Sequence, residues 1–523
     1  MKRLVMILAA GVVPVSVLVP ASSAAPAAPE AATCAPVQVQ APAGARIESV
    51  VAVDRPGGTV TFPSNPPFPT TPPVEGVPAY CEITVTLTHG SDHVKVTNLL
   101  PKEGWNQRFQ ALGGSAYAAG DVIGDASVKA VKAGYAAATT DAGVGPSPID
   151  PAWALTSTGA IDQTLLKNFA SRSPHELAVV GKAVTKAYYG RAAGYAYWNG
   201  CSTGGRQGYS EAQRYPDDFD GILAASAAIN WDRWAPSAVW PAVVVNQEQH
   251  APTSCELEAF NAAAIKACDT KDGVRDGVIA EPAKCGWAPE SLIGQKVECY
   301  GEQVTVTASD ARIVRRIWEG PKGLWYGLTR GTTFAGLLPT DPAHPAAPVG
   351  SPFVVGDAWV KYFLKQNPAF DTKTVRYADF VKLFLQSELR YNDVIGTDDP
   401  DLSAYRKSGG KLLAWHGLDD QLIPAQGSVD YRKRVERTVG GNVDSFYRLF
   451  LASGAVHCGP GAGPAPTDPL ASLVTWVEQG KAPNTLPAAT ADGSTVRELC
   501  VYPKLPRYVG HGDPKVAESY RCA

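Results

Sequence analysis

Apolar and polar residues alternate with a period of two along Glu82-Ile-Thr-Val-Thr-Leu-Thr88, and again over His93-Val-Lys-Val96 and Arg108-Phe-Gln-Ala-Leu112. Such alternation marks half-buried strands, and these runs predict an antiparallel start to a sheet. The rhythm then changes. Gly134-Tyr-Ala-Ala-Ala-Thr-Thr140 predicts a short buried strand. Ser173-Pro-His-Glu176 reads as a capping box, with Pro at the first helical position, opening a helix that runs to Tyr189 and closes at Gly190. An aromatic strand from Tyr195, a helix over Tyr209 to Arg214 and strands at Gly221–Ser226, Lys411–His416 and Asp444–Phe450 continue the alternation. Strands and helices in turn predict an α/β protein whose mainly parallel sheet has helices on both faces.

Between about Ala227 and Leu402 this alternation stops. Seven of the chain's 12 tryptophans lie there (Trp231, Trp234, Trp240, Trp287, Trp318, Trp325, Trp359), among many prolines. A chain of 523 residues usually exceeds one core. The expected organisation is a main domain over residues 34–226 and 403–523, with a lid over 227–402 inserted into it. Most of the lid's rings must build its own small core, and a few remain to face a flat apolar ligand.

At the N-terminus, Lys2 and Arg3 precede an apolar run from Leu4 to Val19, which is broken by Pro14 and followed by small residues. That run is too short for a membrane span, and residues 1–25 are expected to be a secretory signal peptide. No later stretch is apolar enough to cross a bilayer. The formal net charge of -3, with no basic stripe, argues against nucleic acid as a partner. Ten cysteines in an exported chain predict disulfides.

The chemistry concentrates at Tyr195-Ala-Tyr-Trp-Asn-Gly-Cys-Ser-Thr-Gly-Gly-Arg-Gln-Gly208. Gly200-x-Ser202-x-Gly204 between a strand and a helix is the setting of a nucleophile elbow: the serine sits on a sharp turn and the helix N-terminus faces the reacting centre. In that layout the loop after an early strand donates a second N–H to the oxyanion. Gly114, in Gly113-Gly114-Ser115, is the candidate, beside the reading of a tight glycine turn. An acid belongs at the end of the strand Lys411–His416, where Asp419 and Asp420 compete. His457, in the loop Ser453-Gly-Ala-Val-His-Cys458, is the candidate base, and His416 is expected to be structural. Cys201 precedes the serine and Cys458 follows the histidine, so a Ser202–His457 contact would bring the two cysteines within disulfide reach. In the lid, Cys268-Asp-Thr-Lys-Asp-Gly-Val-Arg-Asp-Gly277 gathers Asp269, Asp272 and Asp276 in one tight loop. Calcium and an empty Asp-Gly turn are equally good readings of it.

Gly-Cys-Ser-Thr-Gly-Gly-Arg-Gln-Gly, His-Gly-Leu-Asp-Asp-Gln-Leu-Ile-Pro and Val-His-Cys-Gly together resemble the tannase and feruloyl esterase family, which includes MHETase, over nearly the whole mature chain. The resemblance implies an α/β-hydrolase fold with a large inserted lid domain, the nucleophile Ser202, the acid Asp420, the base His457 and the bridge Cys201–Cys458. It implies oxyanion donors at Thr203 and Gly114, although relatives carry a longer glycine run at the second. It also implies a lid calcium held by Asp269, Asp272 and Asp276 with the carbonyls of Val274 and Val278. Further implied bridges are Cys34–Cys81, Cys268–Cys285 and Cys500–Cys522, with Cys255 and Cys299 as the remaining pair. The implied activity is secreted hydrolysis of small aromatic esters, from plant cell walls or tannins, with ferulate-type acids ahead of gallate and terephthalate monoesters. An acyltransferase or an inactive binding module would share this fold.

Overall fold

A computed structural model describes residues 33–64, 70–339, 344 and 346–523; the leader expected over residues 1–25 lies outside them. Nine strands form the central sheet: β1 (Arg46–Arg55), β2 (Tyr80–Thr88), β3 (Val94–Pro101), β4 (Arg108–Leu112), β5 (Ala136–Thr140), β6 (Tyr195–Cys201), β7 (Gly221–Ala225), β8 (Lys411–Gly417) and β9 (Tyr447–Ala452). Their spatial order is β1-β2-β3-β5-β4-β6-β7-β8-β9. β1, β2, β3 and β5 pair antiparallel, and from β5 to β9 every pairing is parallel. This is an α/β-hydrolase fold. Period two assigns the faces: Trp198, Leu412 and Leu449 pack with Phe109, Val180 and Tyr209 on one side. Their neighbours Tyr197, Leu413 and Phe450 pack with Val131, Leu473 and Trp476 on the other.

Three local expectations shift. The helix Thr203–Arg214 begins six residues before Tyr209, its first turns hidden in the sequence by Gly204, Gly205 and Gly208, which are poor helix formers. The last parallel strand starts at Tyr447, because Val443–Ser445 forms a 3₁₀ turn. Ser173-Pro-His-Glu176 is not a capping box. The chain is already helical from Gln163, capped by Asp162, whose carboxylate accepts the Thr164 and Leu165 N–H groups, and it runs through a π-turn, Asn168–Arg172, into the helix Ser173–Tyr189. Ser173 Oγ is buried without a partner. Glu176 instead meets His89 Nε2 at 2.6 Å.

The insertion between β7 and β8 is mainly helical, with a hairpin at Lys296–Cys299 and Glu302–Thr305. Trp231, Trp234, Trp240, Trp318 and Trp359 are buried in one cluster, against which Trp287 and Trp325 are half-buried. Trp359 stacks on Phe363 with centroids 4.2 Å apart, and Tyr117 and Phe169 enter the same cluster from outside the insertion. The tryptophan-rich segment is therefore chiefly self-packed. Arg206, on the helix after Ser202, fastens that helix to this cluster. It is fully buried with no acid beside it, and burial pushes its guanidinium down to about 9. It donates to the carbonyls of Ala170 and Phe169 at 2.8 and 3.0 Å and to Thr397 Oγ1 at 3.4 Å, with the rings of Phe169 and Trp231 5.4 and 5.6 Å away. A lysine cannot reproduce this fork of donors. Arg206→Lys is expected to destabilise the protein by roughly 2–4 kcal/mol in urea unfolding; an unchanged midpoint would refute the anchoring role.

Candidate active site

The carboxyl ends of the parallel strands align: Cys201 pairs with Ala225, Ala225 with Trp415, and Gly417 with Ala452. The loops leaving that edge carry Ser202, Asp420 and His457. Ser202 has φ 61° and ψ -120°, a left-handed backbone that a non-glycine residue adopts only under constraint. Its N–H bonds Ala225 O at 3.0 Å, and its carbonyl accepts from Arg206 and Ala228. The turn closes so tightly that a Cβ on Gly200 would lie 2.4 Å from the Gly204 backbone.

Of the two candidate acids, Asp420 is the one that reaches His457. Its Oδ2 accepts from His457 Nδ1 at 2.9 Å and His416 Nε2 at 3.2 Å. Its Oδ1 accepts from the Leu422 and Ile423 N–H groups at 2.9 and 2.8 Å. Burial alone would raise this carboxyl; the charge of His457 and the hydrogen bonds from His416 and His457 outweigh it and hold Asp420 well below the usual carboxylate range. His416 also contacts the Ile423 carbonyl at 2.9 Å through Nε2 and Ser428 Oγ at 2.8 Å through Nδ1. A carbonyl only accepts, so Nε2 carries the proton, and His416 is a structural donor. Asp420 in turn fixes the proton of His457 on Nδ1, leaving Nε2 as the basic nitrogen. No hydrogen bond joins Ser202 to His457; the Cys201–Cys458 bridge, with Cα atoms 6.0 Å apart, couples their loops. The four other expected bridges also form, and no cysteine among the described residues is free.

Asp419 points elsewhere. Its backbone N–H bonds Ala455 O at 3.0 Å, while its carboxyl is buried with Oδ1 unpartnered, and burial pushes it up to about 7.

The oxyanion loop needs a correction. Gly114 donates its N–H to Gln207 Oε1 at 2.9 Å, and its carbonyl accepts from Gly204, so it has no N–H to offer. Ser115 N–H is likewise bonded, to Ala118 O. The next residue, Ala116, has φ 45° and an N–H with no acceptor among the described residues. Its carbonyl accepts from Thr203 Oγ1 at 2.7 Å, which brings it against the start of the nucleophile's helix. Gln207 Nε2 donates to Ala119 O at 2.8 Å, so Thr203 and Gln207, one helical turn apart, clamp both ends of this loop. The pairing was readable as an i, i+4 polar pair, but nothing in the sequence identified its partner loop.

In the insertion, Asp269 Oδ1 accepts from the N–H groups of Asp276 and Gly277, Asp272 Oδ1 from Val274, and Asp276 Oδ1 from Val278. Each aspartate thus staples the loop with its Oδ1, and Asp276 Oδ2 pairs with Arg497. The carbonyls of Val274 and Val278 accept no hydrogen bond among the described residues. Burial, with repulsion between these carboxylates, raises Asp272 and Asp276; the cation beside them is Arg497, 3.6 Å from Asp276. Hard oxygens, spare carbonyls and excess negative charge fit a calcium ion, which would have to draw the carboxylates together. Among the described residues the one trio whose ligand atoms lie within 4.8 Å of each other is instead His175, Glu211 and Asp218. The Asp269–Val278 loop rests on the loop that bears His457: Val278 packs on Gly454, and Ser453 Oγ donates to Ala280 O at 2.8 Å.

With this geometry in hand, a family model described as tannase and feruloyl esterase matches residues 81–523. The chain belongs to the tannase and feruloyl esterase family. It is a carboxylic ester hydrolase. A probable feruloyl esterase of Arthroderma benhamiae is 46% identical over 514 residues, 94% of this chain and 93% of that one. Probable feruloyl esterase B-1 of Aspergillus oryzae is 30% identical, covering 86% and 85%. Among solved structures, tannin acyl hydrolase from Aspergillus niger superposes with TM-score 0.79 at 25% identity, covering 92% of each chain. Feruloyl esterase B from Aspergillus oryzae gives 0.75 at 28%, covering 92% and 97%. Among the described residues no helix is long and apolar enough to cross a membrane.

The two neighbouring aspartates are separable by experiment. Asp419 has a folded-state value above its ordinary 3.8, so its stabilising contribution is complete below about pH 4 and lost as pH rises through about 7. Asp419→Asn mimics the protonated form. It is expected to be more stable than the parent at pH 8 by on the order of 2–4 kcal/mol, with the gain vanishing near pH 4, and to keep near-parental kcat/KM. Asp420→Asn should lower kcat by about 10⁴-fold; the reverse ranking in kinetics would reassign the acid.

Proposed function

We propose that this esterase is a secreted serine hydrolase that cleaves esters of aromatic acids, with hydroxycinnamates of the ferulate type as its first preference. The observation that carries the reading is the buried Asp420–His457 hydrogen bond, coupled to Ser202 by the Cys201–Cys458 bridge. His457 Nε2 takes the Ser202 proton as Oγ attacks the ester carbonyl, and the carbonyl oxygen becomes an oxyanion. The N–H groups of Thr203 and Ala116 receive that charge, Thr203 at the first turn of a helix whose dipole favours it. His457 then returns the proton to the departing alcohol. Water repeats the sequence on the acyl-enzyme, with Asp420 stabilising the imidazolium at both stages.

The aromatic cluster gives partial support to the acyl preference. Tyr117 follows Ala116 directly and packs against Phe363 and Trp231, so rings border the oxyanion loop. The names of the relatives at 46% and 30% identity favour ferulate. The likeness to tannin acyl hydrolase favours gallate as the second reading. Five disulfides agree with export to an oxidising compartment.

Steady-state kinetics on methyl ferulate, methyl gallate, a terephthalate monoester and a short aliphatic ester test the assignment. Methyl ferulate is expected to have the highest kcat/KM, and Ser202→Ala to lose at least ~1,000-fold with all of them. A higher value for the aliphatic ester would overturn the aromatic preference, and turnover by Ser202→Ala would overturn the nucleophile.

In the same reading, Asp269, Asp272 and Asp276 with the carbonyls of Val274 and Val278 hold calcium. When bound, the ion supplies positive charge that locks this loop and steadies the segment it rests on. Chelation is expected to lower the melting temperature, and elemental analysis to find calcium near one ion per chain. A melt unmoved by chelator in a protein without calcium returns the loop to an Asp-Gly turn.

A further inference from the structure

Where the insertion meets the helix Gln426–Val439, a cavity of about 310 Å³ opens to solvent. Asn230 and Arg233 form one wall, Trp325 and Tyr326 a second, and Arg434 and Arg437 on the helix a third. None of Ser202, Asp420 and His457 lines it.

Cations outnumber carboxylates among the residues lining this cavity. Arg233, Arg434, Arg437 and Lys433 line it against a single carboxylate, Asp430, which already accepts a hydrogen bond from Tyr326 OH. Arg233 pairs with Glu388 at 2.6 Å, and Arg434 donates to Asp398 O and Asn230 Oδ1 at 2.8 and 3.1 Å and lies 4.0 Å from the Asp398 carboxylate. Lys433 lies 3.9 Å from Asp430. Arg437 has no acidic partner among the described residues. Arg437 is therefore the cation of this lining left to meet an anion. The rings of Trp325 and Tyr326, with centroids 4.9 Å apart, add an aromatic wall beside the cations.

We propose that this cavity binds a carboxylate carried on a ring, presented either by an acidic sugar or by a free aromatic acid. A guanidinium matches a carboxylate with two parallel hydrogen bonds, and an aromatic wall takes the flat apolar face of a ring. The volume lies at the small end of the range for ligand sites. Ligand bound here bridges the insertion and the helix that follows the acid-bearing loop. The proposal does not depend on which ester the enzyme cleaves.

Isothermal titration of the Ser202→Ala protein with sodium glucuronate, sodium ferulate and the methyl ester of each, with the site around Ser202 occupied throughout by excess methyl gallate, tests it. At least one acid is expected to bind saturably, with its neutral ester weaker by about tenfold or more. Arg437→Glu, and separately Trp325→Leu, are expected to weaken that binding by a similar factor. In the otherwise native enzyme, Arg437→Glu should leave kcat/KM for a neutral ester within about twofold. Glucuronate binding alone identifies a sugar acid, and ferulate binding alone an aromatic acid. The proposal fails if neither acid saturates, if acid and ester bind alike, if acetate competes equally, or if binding survives both substitutions.

Discussion

A carboxylate with no exposure to water is costly unless every lone pair it presents meets a donor, and Asp420 is such a group. Two backbone N–H groups from its own loop and two imidazoles answer it. This requirement organises the surrounding chain. The Leu422–Ile423 backbone must curl back on Asp420, His416 must sit at the end of β8 with its far nitrogen engaged by Ser428, and His457 must arrive from the β9 loop in one tautomer. His89, by contrast, has both ring nitrogens engaged, by Asp92 and by Glu176.

Much of this was legible in the sequence because the constraints are local. A serine on a strained turn needs glycines beside it, parallel strands buried on both faces read as apolar runs, and paired cysteines beside Ser202 and His457 report a contact 257 residues apart along the chain. Asp420 was separated from Asp419 only by a family resemblance; in three dimensions one meets His457 and the other is sealed away. The misplaced features depend on long-range partners. Glu176 has the spacing of a capping residue, yet His89 claims its carboxylate. Gly114 has the freedom expected of an oxyanion glycine, yet Gln207 takes its N–H, and Ala116 follows with the positive φ. No periodicity reveals which glutamine will reach which loop.

The insertion shows a similar division. Its tryptophans suggested a ligand-facing surface, but most of them pack against one another, because a segment of this size must first exclude water from its own centre. What reaches the active-site edge is the border of that core, where Tyr117 joins it. Arg206, on the helix after Ser202, reaches both sides of that border: it donates to Ala170 and Phe169 outside the insertion and to Thr397 within it, beside the ring of Trp231, so the insertion is tied to that helix.

The bridge between Cys201 and Cys458 has a topological consequence beyond positioning. It closes a covalent ring that contains the whole insertion and three strands of the sheet, with the bridges Cys255–Cys299 and Cys268–Cys285 nested inside it. A single peptide-bond cut anywhere in that ring opens it without releasing a fragment. A protease attacking the exposed loops of the insertion would leave one molecule of unchanged mass apart from added water, separable into two chains only by a reductant. The ring makes Ser202 and His457 inseparable by single nicks.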